Sequence, residues 1–214
     1  MCKMLEKQNI GTIQLSDKIR ITDPCYSPDT WCAGTLDILP GRYNCFSQKV
    51  DTGDWGIRIA TLEVRHEDYL EIDATEPTKI TVGVDSGQCG IFDLPYFLEI
   101  NLNTHTHEEI YDIICDITYK ETSEKNKNYI PFEESIYYDK NAESQVDAYR
   151  KYLSNPEISK MWHHTGSFEA GTLEGKCVVS SSGDGDGCYL CYIGRNENNE
   201  IVSVKIDYYP EEED

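Results

Sequence analysis

The run Gly183-Asp184-Gly185-Asp186-Gly187 alternates acid and glycine, and it is the stretch whose residue types most invite chemistry. Carboxylates on so permissive a backbone can converge on a hard cation or a polar ligand. Four more aspartates flank turns or strand ends: Asp23, Asp85, Asp93 and Asp207. Together, Asp23, Asp85, Asp93, Asp184, Asp186 and Asp207 form the candidate ligand-binding set, and a divalent metal is the one cofactor such a set would take. The competing account is structural: each carboxylate accepts N–H bonds from its own turn. A calcium-loop register fails, because Ser182 would hold the first ligand position and Ile193 the last, where a bidentate glutamate is needed.

Other chemistries fit less well. Cys188-Tyr189-Leu190-Cys191 lacks the second cysteine pair of a zinc ribbon. On a strand, an offset of three sends the two sulfurs to opposite faces, so both read as buried structural thiols. His105 and His107 would share a metal only in extended chain, and His163-His164 would point apart on a helix end. A nucleophile set of Cys25 or Cys89 with His66 as base has no spacing to single it out. No nucleophile elbow or phosphate loop occurs, and no catalytic residue is assigned.

Positioning such groups requires a core. The chain has 214 residues, 39% of them hydrophobic, with 15 tyrosines. That material suffices for one domain spanning residues 1–214. The net charge is −20 and the chain ends in Glu211-Glu212-Glu213-Asp214. This field repels phosphate backbones, so direct nucleic-acid binding is not expected, whereas a protein with a basic surface would be attracted. Solubility alone is the simpler account of the charge. Nine cysteines, no apolar leader and no membrane-length apolar run point to reduced thiols in the cytoplasm.

Alternation marks the strands. Ile10 to Leu15 and Lys18 to Thr22 read as a strand pair about a Ser16-Asp17 turn, and Pro24 stops the second. Arg42 to Ser47 follows Pro40-Gly41 as a further strand. In the run from Trp55 to His66 the apolar parity changes from Ile57 and Ile59 to Leu62 and Val64, which predicts a bulge near Ala60 or burial on both faces. Lys79 to Val84 and Cys89 to Phe92 flank Asp85-Ser86-Gly87-Gln88. Ser167 to Leu173, Lys176 to Ser180, Tyr189 to Ile193 and Glu200 to Tyr208 complete the set. The last two are joined by the turn Asn196 to Asn199, and Ser180 to Tyr189 is read as the glycine hinge of another hairpin. In the final strand Val202, Val204, Ile206 and Tyr208 are placed on the core face.

Between these strands the texture changes. Thr106 and Glu109 fit a capping box ahead of a stripe at Ile110, Ile113, Ile114 and Ile117. Ala142 to Leu153 reads as a second helix, and Asn155-Pro156 opens a third. The fold class expected is therefore α+β: a β-rich, sandwich-like single domain with a helical insertion at about 104–164 and an acidic tail at 210–214. Six tyrosines between Tyr111 and Tyr149 make the insertion a second candidate contact face.

Several segments occur in a recognisable order: Asp23-Pro24-Cys25-Tyr26, Pro40-Gly41-Arg42-Tyr43, Arg58-Ile59-Ala60, Val84-Asp85-Ser86-Gly87 with Asp93, and Gly183 to Tyr189. The series resembles a bacterial and phage family filed as domain of unknown function 4241. Cys188 stands where that family usually has serine. The resemblance carries no activity with it. It implies a cytosolic bacterial or phage protein of the kind found near defence, toxin-immunity or mobile-element genes. The function expected from residues and resemblance together is macromolecular binding, as an inhibitor, immunity or anti-defence factor. The alternatives are a metal-assisted hydrolase of a phosphoester or nucleotide-like substrate, and a protein that sequesters a small ligand.

Overall fold

The computed structural model describes residues 3–24, 26, 30–101 and 170–210. In chain order its elements are β1 (Lys3–Met4), β2 (Gln8–Leu15), β3 (Lys18–Thr22), β4 (Gly34–Asp37), β5 (Gly41–Asp51), β6 (Ile57–His66), β7 (Glu76–Val84), β8 (Gln88–Asp93), α1 (Leu94–Asn101), β9 (Ala170–Leu173), β10 (Cys177–Ser181), β11 (Gly187–Arg195) and β12 (Ile201–Asp207). Every strand pairing is antiparallel.

Two sheets result. The larger has seven strands in the order β1-β5-β6-β12-β11-β7, with β2 also paired to β5; the smaller has five, β4-β3-β8-β10-β9. Their inner faces share one core. Ile13, Tyr43, Leu62, Val64, Val82, Ile193, Val204 and Ile206 come from the larger sheet, and Ile19, Ile21, Cys89, Ile91 and Val178 from the smaller. This is the face-to-face burial that two half-apolar sheets need.

The outer faces differ. Residues of β8 and β10 are buried throughout, because α1 covers the outside of the smaller sheet. Tyr96 and Phe97 of α1 pack there with Phe92, Leu173, Cys177 and Val179. The outside of the larger sheet is polar but not all exposed. Glu63 is 1% exposed, and its carboxylate accepts from Lys7 Nζ at 2.6 Å and Arg65 Nε at 2.7 Å. Removing either cation would leave the buried carboxylate with only one of the two charges that offset its desolvation.

Several sequence expectations need correction. The α+β class with a helical insertion gives way to a β-rich fold of two antiparallel sheets with a single α-helix, α1, among the described residues. That helix begins at Leu94-Pro95, where proline suits a first helical turn, and no helix was expected there. The expected helices at 104–164, with His105, His107, His163 and His164, lie outside the described residues, as does the tail from 211 onward.

The strand pairings differ too. β2 and β3 flank Ser16-Asp17 as expected, yet β2 pairs with β5 and β3 with β4 and β8. Likewise β10 lies in the smaller sheet and β11 in the larger, so the glycine loop between them is a crossover rather than a hairpin. A local sequence encodes a reversal, and the sheet that the next strand joins depends on distant partners.

Register shifts interrupt four strand pairs, β2–β5, β5–β6, β11–β7 and β11–β12, and two of these bear on the expected alternation. Gln48 faces Thr61 while Lys49 faces Ile59, which leaves Ala60 as the extra residue at the place where the alternation breaks. In β12, Gly194 faces Ser203 while Arg195 faces Ile201. Val202 is the extra residue there, and Ile201, not Val202, joins the central core. The turn Asn196 to Asn199 does close a hairpin, and Asn196 Oδ1 accepts from the amides of Asn198 and Glu200.

Three core thiols couple stability to pH. Burial pushes Cys45 and Cys191 from their ordinary value of 9.0 up to about 12, and pushes Cys89 well above it. Each is protonated when folded and ionises first when unfolded, so the folded state binds more protons above pH 9. Stability is therefore complete below pH 9 and falls as pH rises toward 12, by up to about 1.4 kcal/mol per pH unit for each thiol. Urea denaturation across that window checks this, and Cys45→Val is expected to flatten the slope.

Candidate functional site

Four chain segments meet at one end of the sandwich: the stretch after β3, the β7–β8 turn, the β10–β11 crossover and the residues after β12. The register makes them neighbours, since Thr22 faces Gly90, Ser181 faces Gln88, and Gly187 faces Val84.

Asp23 is the anchor. It is fully buried, and its Oδ2 accepts from the amides of Asp85 at 3.1 Å and Ser86 at 2.9 Å. Its Oδ1 accepts from Ser86 Oγ at 2.8 Å, and its backbone carbonyl accepts from Tyr26 N–H. A carboxylate meeting three donors from one turn is a charge-assisted clamp rather than an open ligand. From that clamped turn the Gly87 carbonyl accepts from Ser182 N at 3.0 Å, so the Asp85–Gly87 turn in turn holds the glycine crossover.

The crossover is closed from within. Gly185 N donates to Ser182 O at 2.7 Å, and Ser182 Oγ donates to Gly185 O at 2.8 Å. Tyr189 Oη donates to the same two carbonyls at 3.0 and 2.7 Å. Gly183 has φ +52°, and an added Cβ would lie 2.9 Å from Tyr208 Cβ, so this position needs both a left-handed backbone and an absent side chain. Beneath it, the Tyr189 and Tyr208 rings meet edge to face at 4.9 Å, and Tyr208 Oη shares a 2.9 Å hydrogen bond with Ser180 Oγ. Burial, followed by the nearby Cys89 thiol, pushes the Tyr208 hydroxyl well above its ordinary range.

What this scaffold presents is acidic. Asp85, Asp184 and Asp186 are exposed. Tyr26 Oη donates to Asp85 Oδ2 at 2.7 Å, and Tyr209 Oη donates to Asp184 Oδ1. Burial, then the Asp85 hydrogen bond, pushes the Tyr26 hydroxyl far up, so it stays a donor throughout the neutral range. Trp31 stands out beside Cys32 with 91% of its surface exposed.

The six aspartates thus divide. Asp23, Asp85, Asp184 and Asp186 belong to this end, with Asp23 inside and the other three outside. Asp207, next to the Tyr208–Tyr209 segment, accepts from Tyr209 N at 3.2 Å and pairs with Lys205 at 3.3 Å. Asp93 sits at the far end of β8, about 17 Å along the strand from Gln88, where its Oδ1 accepts from Ser16 N at 2.7 Å. The quartet of Asp85, Asp93, Asp184 and Asp186 therefore does not gather. Among the described residues no group of three or more His, Cys, Asp or Glu side chains is arranged to hold a metal ion.

The thiol and histidine candidates separate as well. Cys89 lies in the core with Tyr208, beside Ala60, whose carbonyl accepts from Tyr208 N. His66 is six residues further along β6, about 20 Å away, and its Nδ1 accepts from Asp68 N. A thiol raised by burial is a poor nucleophile in any case. Cys25 lies outside the described residues. The two sulfurs of the Cys188–Cys191 pair do part, but only Cys191 is buried; Cys188 is exposed. Tyr26 and Tyr209 were missed as site residues. The only local hint of Tyr26 was its place three residues after Asp23.

Replacing Asp23 with alanine would leave two amides and a hydroxyl without their acceptor and free the turn that holds the crossover. A loss on the order of 3 kcal/mol is expected in urea denaturation, with Asp23→Asn intermediate, because one amide oxygen still accepts. Amide hydrogen exchange at Asp85, Ser86 and Ser182 should rise in the alanine variant.

No helix among the described residues is long and apolar enough to cross a membrane. No curated protein and no solved structure matches the chain. Residues 15–206 match the family described as "Protein of unknown function (DUF4241)", a span that takes in β3 to β11, nearly all of β12 and three of the four segments of the acidic end, and stops short of Tyr208 and Tyr209. By that match the chain belongs to the DUF4241 family.

Proposed function

We propose that this protein works as a binding module whose acidic loop end docks a basic surface on another protein. The observation that carries the reading is the way Asp85 and Asp184 are presented: both are exposed, and each is oriented by a tyrosine hydroxyl on a turn clamped from below. Exposed carboxylates on mobile side chains contribute little to binding, whereas carboxylates held in place lose less entropy when a guanidinium or ammonium arrives. Trp31 supplies a flat apolar face on which an arginine can stack. The net charge of −20 adds long-range attraction for such a partner.

Loops on a rigid β scaffold are a common place for recognition residues, and the segments here fit that arrangement. An inhibitor, immunity or anti-defence role in bacterial or phage conflict is the setting we favour, on the strength of the family resemblance. Such factors act by occupying a basic groove, which needs no catalytic group on their own side.

The test uses the full chain as bait, with captured proteins eluted by a salt gradient. A partner of basic surface should be retained at low salt and released as ionic strength rises. Asp85→Asn combined with Asp184→Asn and Asp186→Asn should weaken retention at least tenfold while the urea midpoint stays within error. Retention indifferent to salt and to these three substitutions would sink the reading.

A further inference from the structure

The acidic end carries two thiols that neither the core nor the binding reading uses. Cys188 on β11 is exposed, and Cys32, in the turn before β4, is partly exposed. They come from opposite sides of one glycine. Cys188 faces Gly83 across the β11–β7 pair. Gly83 N donates to Cys32 O at 2.8 Å, so its amide points to the open edge of β7 and away from β11. That makes Gly83 and Cys188 a non-hydrogen-bonded pair, the kind in which Cα atoms come within about 4.5 Å and side chains lie closest. The side-chain space that Gly83 leaves vacant is filled by Cys32: a Cβ built on Gly83 would lie 2.8 Å from Cys32 Sγ and 3.0 Å from Cys32 Cβ. One thiol therefore occupies the position directly across from the other.

We infer that Cys32 and Cys188 form a reversible disulfide when the protein meets a peroxide. The exposed Cys188 sulfur attacks a peroxide oxygen, the O–O bond breaks, and a sulfenic acid forms with release of water. The Cys32 sulfur then attacks the Cys188 sulfur, the S–O bond breaks, and a second water leaves with the thiol proton. Two thiols and one hydrogen peroxide thus give one disulfide and two waters. Trp31 and Cys32 lie in a turn outside any strand, and this turn is the element that moves to close the bond. An external dithiol reverses it by exchange.

The bond has a consequence at the acidic end. In the dithiol form the Cys32 thiol lies close enough to the Tyr26 hydroxyl, which holds Asp85, to help push that hydroxyl up. Oxidation takes the sulfur away from Tyr26 and staples the Trp31 turn across β7 onto β11. The exposed tryptophan and the Tyr26–Asp85 contact therefore change together with the redox state.

The experiment treats the full chain with hydrogen peroxide, alkylates the remaining thiols and digests it without reductant for mass spectrometry. The Cys32 peptide should be recovered joined to the Cys188 peptide and should separate on adding a dithiol. Cys32→Ser should leave Cys188 trappable as a sulfenic acid, and Cys188→Ser should abolish the linked species. Gly83→Ala, whose methyl group displaces Cys32 Sγ, should cut the yield of the linked species several-fold while sulfenic acid at Cys188 still forms. Recovery of both peptides alkylated would overturn the inference. So would Cys188 joined to another cysteine or to a second copy, or a yield unchanged by Gly83→Ala.

Discussion

One buried carboxylate governs how this end of the molecule is built. Asp23 sits fully inside the protein and accepts from three donors of the Asp85–Ser86 turn. The clamp joins two strands of different sheets: β3, which Asp23 follows, and β7, which the turn ends. Through Gly87 it reaches Ser182 and the crossover, and through Tyr26 it reaches Asp85. Because a buried charge is costly unless its hydrogen bonds are complete, the turn has little freedom to depart from this geometry. The exposed acids inherit their positions from the hidden one.

The sandwich closes its edges by the same economy of short contacts. At the β7 edge, Gly83 N is met by Cys32 O from the turn before β4, and Gly34 of β4 lies so close to Ile80 that a Cβ there would be 2.4 Å from Ile80 Cγ2. At the opposite side Gln14 N donates to Gly175 O, which ties β2 to the β9–β10 turn. Bonds of this kind occupy edge amides that would otherwise template pairing with another chain. The chain crosses between sheets at Ser16-Asp17, between β4 and β5, at Asp85–Gly87 and at Ser182–Asp186. Carboxylates of Asp93 and Asp23 accept the amides at the first and third crossings, backbone carbonyls accept them at the second and fourth, and at the fourth the Ser182 and Tyr189 hydroxyls donate to carbonyls.

Legibility followed the range of the interaction. The alternation of Lys18 to Thr22 identified β3 to the residue, and the broken parity around Ala60 pointed to a bulge or to burial on both faces, of which the strand has both. Both signals are carried by neighbours one and two positions away. The position of Val202 was misjudged for the same reason, since its bulge arises from the register with Gly194 and leaves no mark in the local pattern. The aspartates were recognised as turn residues, yet nothing in their spacing separated the clamp, Asp23, from the ones presented outside or from the remote Asp93.

By itself, then, the amino-acid sequence determined most of the strands (β1 and β4 excepted), the turns, the charge and the set of acids worth inspecting, because alternation, turn chemistry and composition act through local covalent geometry and direct solvation. Tertiary structure alone decided that the Gly183–Gly187 run crosses between sheets, that Asp23 faces inward while Asp85 and Asp184 face outward on tyrosine props, and that Cys188 comes to lie opposite Cys32. Those outcomes depend on which distant strand each segment pairs with. That choice is made by the burial of two whole sheet faces against each other, a quantity no short stretch of residues contains.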